Sequence, residues 1–208
     1  VMRRGAIKPY CGYSLTELLV ACSLASIVIS AVATQAARSH IAYSSIQHAT
    51  SVEDDIRALQ STITQHLSKA GFVYSPNTLS PFGATTIENT IFEVTTGHRA
   101  NEPENSCVTF SYDKNKDGVV SQAQGEFFGY RLHDNAIEYR VAGHSCIQSG
   151  WYDLTDTQTT VATKFTVNRR HSSSWGSAYE IEIELHSKVD PTVKSARTFI
   201  VEAVNAYY

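Results

Sequence analysis

From Leu18 to Ala37 the chain carries 20 residues without a charge. As a helix this run spans about 30 Å, the thickness of a bilayer core. Beyond it the pattern changes. Ala49, Val52, Ile56, Leu59, Ile63, Leu67 and Ala70 recur at three- and four-residue intervals. That spacing puts one apolar stripe on a helix. Glu53, Asp54, Asp55, Arg57, Gln60 and Lys69 fill the other faces, and Gly71 fits a C-terminal cap. The pattern predicts one helix over 15–70, apolar all round in its first half and one-sided in its second.

Residues 76–106 read as a connecting region, punctuated by Pro76, Pro81, Gly83 and Pro103, with one strand near Thr90–Thr95. Strand patterns follow at 107–112, 127–132, 136–141, 162–168, 179–185 and 197–203. The hairpin between the second and third turns at Asp134-Asn135. In the fifth, Tyr179, Ile181, Ile183 and Leu185 alternate with Glu180, Glu182 and Glu184, the period of a half-buried strand. The last strand is expected to close a single antiparallel sheet. A long N-terminal helix on such a sheet is an α+β fold.

Charge changes the picture at the N-terminus. Arg3, Arg4 and Lys8 precede Gly12, and Glu17 stands where the apolar run begins. The cations would hold that end in the cytoplasm, leaving everything after Arg38 outside the inner membrane. A carboxylate at the centre of a span costs roughly 2.5–3.5 kcal/mol, so Glu17 needs a partner. Ala31-Val32-Ala33 is an alternative signal-peptidase site, but Glu17 then sits inside the apolar core of the signal. Leu19-Val20-Ala21-Cys22 looks like a lipobox, but the long apolar stretch follows Cys22 instead of preceding it.

The junction Gly12-Tyr13-Ser14-Leu15-Thr16-Glu17-Leu18-Leu19-Val20 resembles the processing site of type IV pilins and type II secretion pseudopilins. The resemblance implies cleavage by a prepilin peptidase between Gly12 and Tyr13. It also implies N-methylation of Tyr13, and pairing of Glu17 with the N-terminal amine of a neighbouring subunit. Tyr13 replaces the usual Phe, and Thr34 stands where major pilins have a helix-kinking Pro, which favours a minor subunit. A second likeness lies in the head, at Cys107–Asp113, Glu126–Leu132, Cys146 and Gly150–Asp156. These segments resemble the minor pilins of the PilW, or prepilin peptidase-dependent protein B, type, and more loosely the J-type pseudopilins. The implied organisation is a leader over 1–12, a transmembrane and assembly half-helix over 13–37, an amphipathic half over 38–71 and a β-rich head over 72–208. The implied place is the bacterial inner membrane, one pass with a periplasmic head, and the pilus after assembly. The implied partners are the peptidase, other minor and major pilins through the helix, and an inner-membrane assembly platform.

Loss of Arg3, Arg4 and Lys8 with the leader would take the formal charge from −3 to −6. No basic stripe appears, so nucleic-acid binding is not indicated. Of the four cysteines, Cys11 leaves with the leader and Cys22 lies in the span. Cys107 and Cys146 remain in an oxidising compartment, where pairing is favoured over a reactive thiol or metal pair. Closing that loop would contribute roughly 3–4 kcal/mol.

One candidate ligand site remains. Asp113-Lys114-Asn115-Lys116-Asp117-Gly118 places oxygen groups at alternate positions before a Gly, like the first half of a calcium loop. Position twelve is Gln124, with Glu126 as the substitute acid. The alternative is a polar hairpin loop with an Asp-Gly turn. Enzymatic motifs such as HExxH, GxSxG or a phosphate-binding loop do not occur, and no enzyme activity is expected. A pilus subunit, a type II secretion pseudopilin and a membrane-tethered binding protein or adhesin remain the readings.

Overall fold

The computed structural model describes residues 12–74, 94–173 and 176–206. The leader cations, Pro76, Pro81, Gly83, most of the strand expected near residue 90 and Trp175 lie outside the described residues. The chain divides into two units at Ile46. Helix α1, Leu15–Leu67, contributes to both.

The first unit holds the apolar part of α1. Leu18, Leu24, Val28 and Val32 are all exposed on it. The helix is long and apolar enough to cross a membrane. Ser23, Ser26, Ser30 and Thr34 return their hydroxyls to carbonyls three or four residues back, so these four hydroxyls are satisfied within the helix.

In the second unit the expected stripe is buried: Val52, Ile56, Leu59, Ile63, Leu67 and Ala70 are each at most 3% exposed. Ala49 is exposed, so the stripe begins one turn later than its spacing suggests. Eight strands follow. They are β1 (Thr95–Gly97), β2 (Cys107–Ser111), β3 (Phe127–His133), β4 (Ala136–Tyr139), β5 (Tyr152–Asp153), β6 (Thr160–Ser173), β7 (Gly176–Ser187) and β8 (Lys194–Ala203). They form two antiparallel sheets, β1-β2-β3-β4-β5 and β6-β7-β8. This is the α+β layout of a pilin, with two sheets where one was expected.

The break between the sheets has a local cause. After Asp153 the N–H groups of Leu154 and Thr155 both donate to the Ile137 carbonyl, and Thr155 Oγ1 accepts the Ile137 N–H. This closes the edge that β6 would need. β6 instead touches the first sheet through isolated bonds, Ala162 N–H to Asn135 O and Val167 N–H to Asn105 O. Both residues of the Asp134-Asn135 turn have positive φ, 47° and 65°, as a tight two-residue hairpin requires. In β7 the alternation holds, with Tyr179, Ile181, Ile183 and Leu185 buried.

Gly71 departs from its expected role. The helix ends at Leu67, and the Gly71 N–H donates to the Ser111 carbonyl at the end of β2. Its φ is +79°, and a Cβ there would stand 2.2 Å from the Asn205 carbonyl oxygen. Gly71 is needed because two backbones meet at it. Gly71→Ala should destabilise the head by about 2–3 kcal/mol, read from the midpoint of urea unfolding.

Candidate functional site

The N-terminal junction begins at the first described residue. Gly12 has nothing within 4 Å of where a Cβ would stand, and Tyr13 is 91% exposed. The helix starts at Leu15 with Ser14 in the capping position. The Thr16 N–H donates to Ser14 Oγ (3.2 Å), and the Ser14 N–H donates to Glu17 Oε2 (2.9 Å). This reciprocal pair is a capping box. The Glu17 carboxylate therefore folds back on the helix end, where the helix dipole favours a negative charge. Ser14 was not singled out from the sequence, although Ser-x-x-Glu before an apolar run is the pattern of such a cap.

The second candidate, the loop between β2 and β3, does gather its oxygen groups. Asp113 is 1% exposed and Glu126 is fully buried. Asp113 Oδ1 accepts from the N–H groups of Lys116 (2.6 Å) and Asp117 (3.2 Å). Its Oδ2 accepts from Gly118 (2.9 Å) and Tyr74 (3.0 Å). Glu126 Oε1 accepts from Lys114 and Asn115, and Oε2 from Ser121. Asp117 is exposed and accepts from the side chains of Asn115 and Gln124 and the Val119 N–H. These three bonds, the Asn115 contact foremost, hold its carboxyl below the usual range. Lys114 and Lys116 are exposed.

Asp113, Asn115, Asp117 and Glu126 thus share one loop, but their oxygens face N–H groups of that loop and of Tyr74. Among the described residues no group of three or more His, Cys, Asp or Glu side chains is placed to hold a metal ion. Closure by N–H groups alone and calcium binding differ in outcome: with N–H groups alone, millimolar calcium leaves the melting temperature of the head unchanged. A calcium loop would instead gain about 2.7 kcal/mol at a hundredfold excess over Kd, and Asp113→Ala with Asp117→Ala would abolish the gain. Calorimetric melting with calcium and with a chelator separates the two.

Cys107 and Cys146 form the expected disulfide, with Cα atoms 6.0 Å apart. It ties β2 to the loop that folds over the outer face of β3. Two arginines hold the same loop. Arg131 donates from Nη1 to the carbonyls of Cys146 and Gln148, both at 2.7 Å, and from Nε to Glu138. Arg140 donates to the carbonyls of Gly143 and His144. Trp151 packs under the Arg131 guanidinium and donates its indole N–H to Ser145 O, a packing role.

A long apolar helix, a capped carboxylate at its start and an antiparallel head closed by a disulfide together define a pilin-like subunit. Residues 45–203 match the family described as prepilin peptidase-dependent protein B, and the chain belongs to that family. It is 22% identical to the Escherichia coli (strain K12) protein of that name over 197 residues, covering 93% of this chain and 96% of the relative. No solved structure matches it.

Proposed function

We propose that this chain is a minor type IV pilin subunit that takes part in starting or building a pilus. A prepilin peptidase cleaves after Gly12, and Tyr13 becomes the methylated N-terminus. The subunit waits in the inner membrane with its head in the periplasm. It joins other pilins through α1, at an inner-membrane assembly platform. The observation that carries this reading is Glu17, one carboxylate at the mouth of an otherwise uncharged run, in a chain of a prepilin peptidase-dependent family.

Its chemistry fits an exchange of partners. Within one subunit the Ser14 N–H supports the carboxylate. In the assembly the positive amine of a neighbouring Tyr13 is the stronger partner, because a charge-assisted pair in a low dielectric exceeds a bond to a neutral donor. Glu17→Ala is expected to leave the membrane level of the processed subunit unchanged and to reduce surface pili at least about tenfold, the factor given by 1.4 kcal/mol. Gly12→Asp should leave the subunit at its unprocessed size. A subunit that is cleaved normally and supports normal piliation without Glu17 would instead be a tethered binding protein.

A further inference from the structure

The second sheet runs β6-β7-β8, and β8 pairs with β7 alone. Just before β8 the Ser187 N–H donates to the Val193 carbonyl, which sets the phase of the ladder. Hydrogen-bonded pairs then alternate from Leu185/Ser195 to Ser177/Ala203. Lys194, Ala196, Thr198, Ile200 and Glu202 therefore turn their N–H and C=O groups to the far edge of the sheet. Among the described residues no other backbone group meets them there.

An edge of this kind is usually blunted by charge, by Pro or by a bulge. β6, the opposite edge of the same sheet, has two register shifts and bonds to Asn105 and Asn135. β8 has no shift and no Pro, and Ala196, Thr198 and Ile200 put no charge on its exposed face. Arg197 is turned to the other face, where it pairs with Glu53 of α1. Charge stands only at the two ends of the exposed face. Lys194 and Glu202 are both exposed, and neither joins an ion pair among the described residues.

We propose that this edge takes an extended segment of a partner chain as an antiparallel strand, with an acid beside Lys194, a base beside Glu202 and β-branched or apolar residues between. Main-chain bonds supply the affinity of such an addition, and alternate side chains supply the choice of partner. Opposite charges and β-branched pairs stabilise across strands, and like charges directly opposite destabilise. A uniformly acidic or basic segment would meet a like charge at one end. Antiparallel pairing is also the more stable per residue. A second copy does not fit. On the assembly reading, two copies in one membrane run α1 the same way. From Glu53 onward the chain runs along β8: Glu53 accepts from Ser195 Oγ, and Gly71 abuts Asn205. β8 would then meet β8 in parallel, Lys194 beside Lys194. The exclusion of a second copy rests on that reading; the edge chemistry does not.

A free peptide copying Lys194–Ala203 has the required chemistry when it lies antiparallel, its Glu over Lys194 and its Lys over Glu202. It is the probe, end-blocked and labelled with fluorescein, and its anisotropy is read against the full chain in detergent. Saturable binding is expected. An N-methyl group at the probe's copy of Thr198, whose N–H faces β8, should weaken binding at least about tenfold, and one at its copy of Phe199, whose N–H faces away, should not. Lys194→Glu, at an exposed position, should weaken binding about fivefold, and a probe with Lys in place of its Glu should recover it. No saturable binding at millimolar probe, equal effects of the two N-methyl groups, or no recovery by the Lys probe would overturn the proposal. A chain that is dimeric in detergent and made monomeric by the probe would overturn it too, because a second copy would then hold the edge. A chain that binds the probe as expected yet needs no Glu17 for piliation would keep the edge and lose the assembly reading.

Discussion

Asp113→Ala is expected to lower the unfolding free energy of the head by about 3 kcal/mol or more. Its two oxygens accept four backbone N–H groups, from Tyr74, Lys116, Asp117 and Gly118. A buried donor left without a partner costs about 1–3 kcal/mol, and water can reach only part of this set because the side chain is 1% exposed. The Tyr74 bond also fastens the chain that leaves α1 to the loop, so its loss frees a tether as well as a turn. Asp113→Asn should fall between, since one oxygen remains and the other is replaced by an amide that faces donors. Asp117→Ala should cost less than about 1 kcal/mol, because that carboxylate is exposed and its partners can turn to water. Urea unfolding of the three variants gives the ranking. Comparable losses at Asp113 and Asp117, appearing only with calcium present, would return the loop to the metal reading.

That loop shows where sequence reasoning stops. Oxygen groups at 113, 115 and 117 followed by Gly118 were legible as a convergent set. That the Asp113 oxygens also accept backbone N–H groups was not. Backbone N–H groups and a hard cation both call for anionic oxygen at the same spacing, so one pattern serves both. The apolar stripe from Val52 to Leu67 and the alternation in β7 were legible because periodicity records the face an element buries. The division into two sheets was not, because it depends on Thr155 meeting Ile137, a contact 18 residues apart that no strand pattern encodes. Arg131 was missed for a related reason. Along β3 it lies on the face with Phe127 and Gly129, opposite the helix, where alternation reads solvent. The face is covered by the loop that carries Cys146, and only the disulfide hinted that this loop returns. The junction at Gly12–Glu17 was legible as a motif; its internal support from Ser14 was legible only as a cap.

Arg131 is also where the largest stability loss in the second unit is expected. Its side chain is 2% exposed, lies 4.6 Å from the Trp151 ring, and bonds one carboxylate and two carbonyls. Removing one partner of a buried pair is costly because the other charge stays behind: Arg131→Ala leaves Glu138, 8% exposed, without its cation. The expected loss is about 3–5 kcal/mol. Arg131→Met with Glu138→Leu removes both charges and keeps the volume, and should recover part of it. Recovery cannot be complete, because the carbonyls of Cys146 and Gln148 lose their donor in both variants. The shortfall of the double variant, measured by urea unfolding with the disulfide intact, therefore reports what Arg131 contributes by holding the loop, apart from its ion pair. Full recovery would mean that the disulfide and Trp151 hold the loop alone. A loss below about 1 kcal/mol for Arg131→Ala would place the pair in solvent, against its burial.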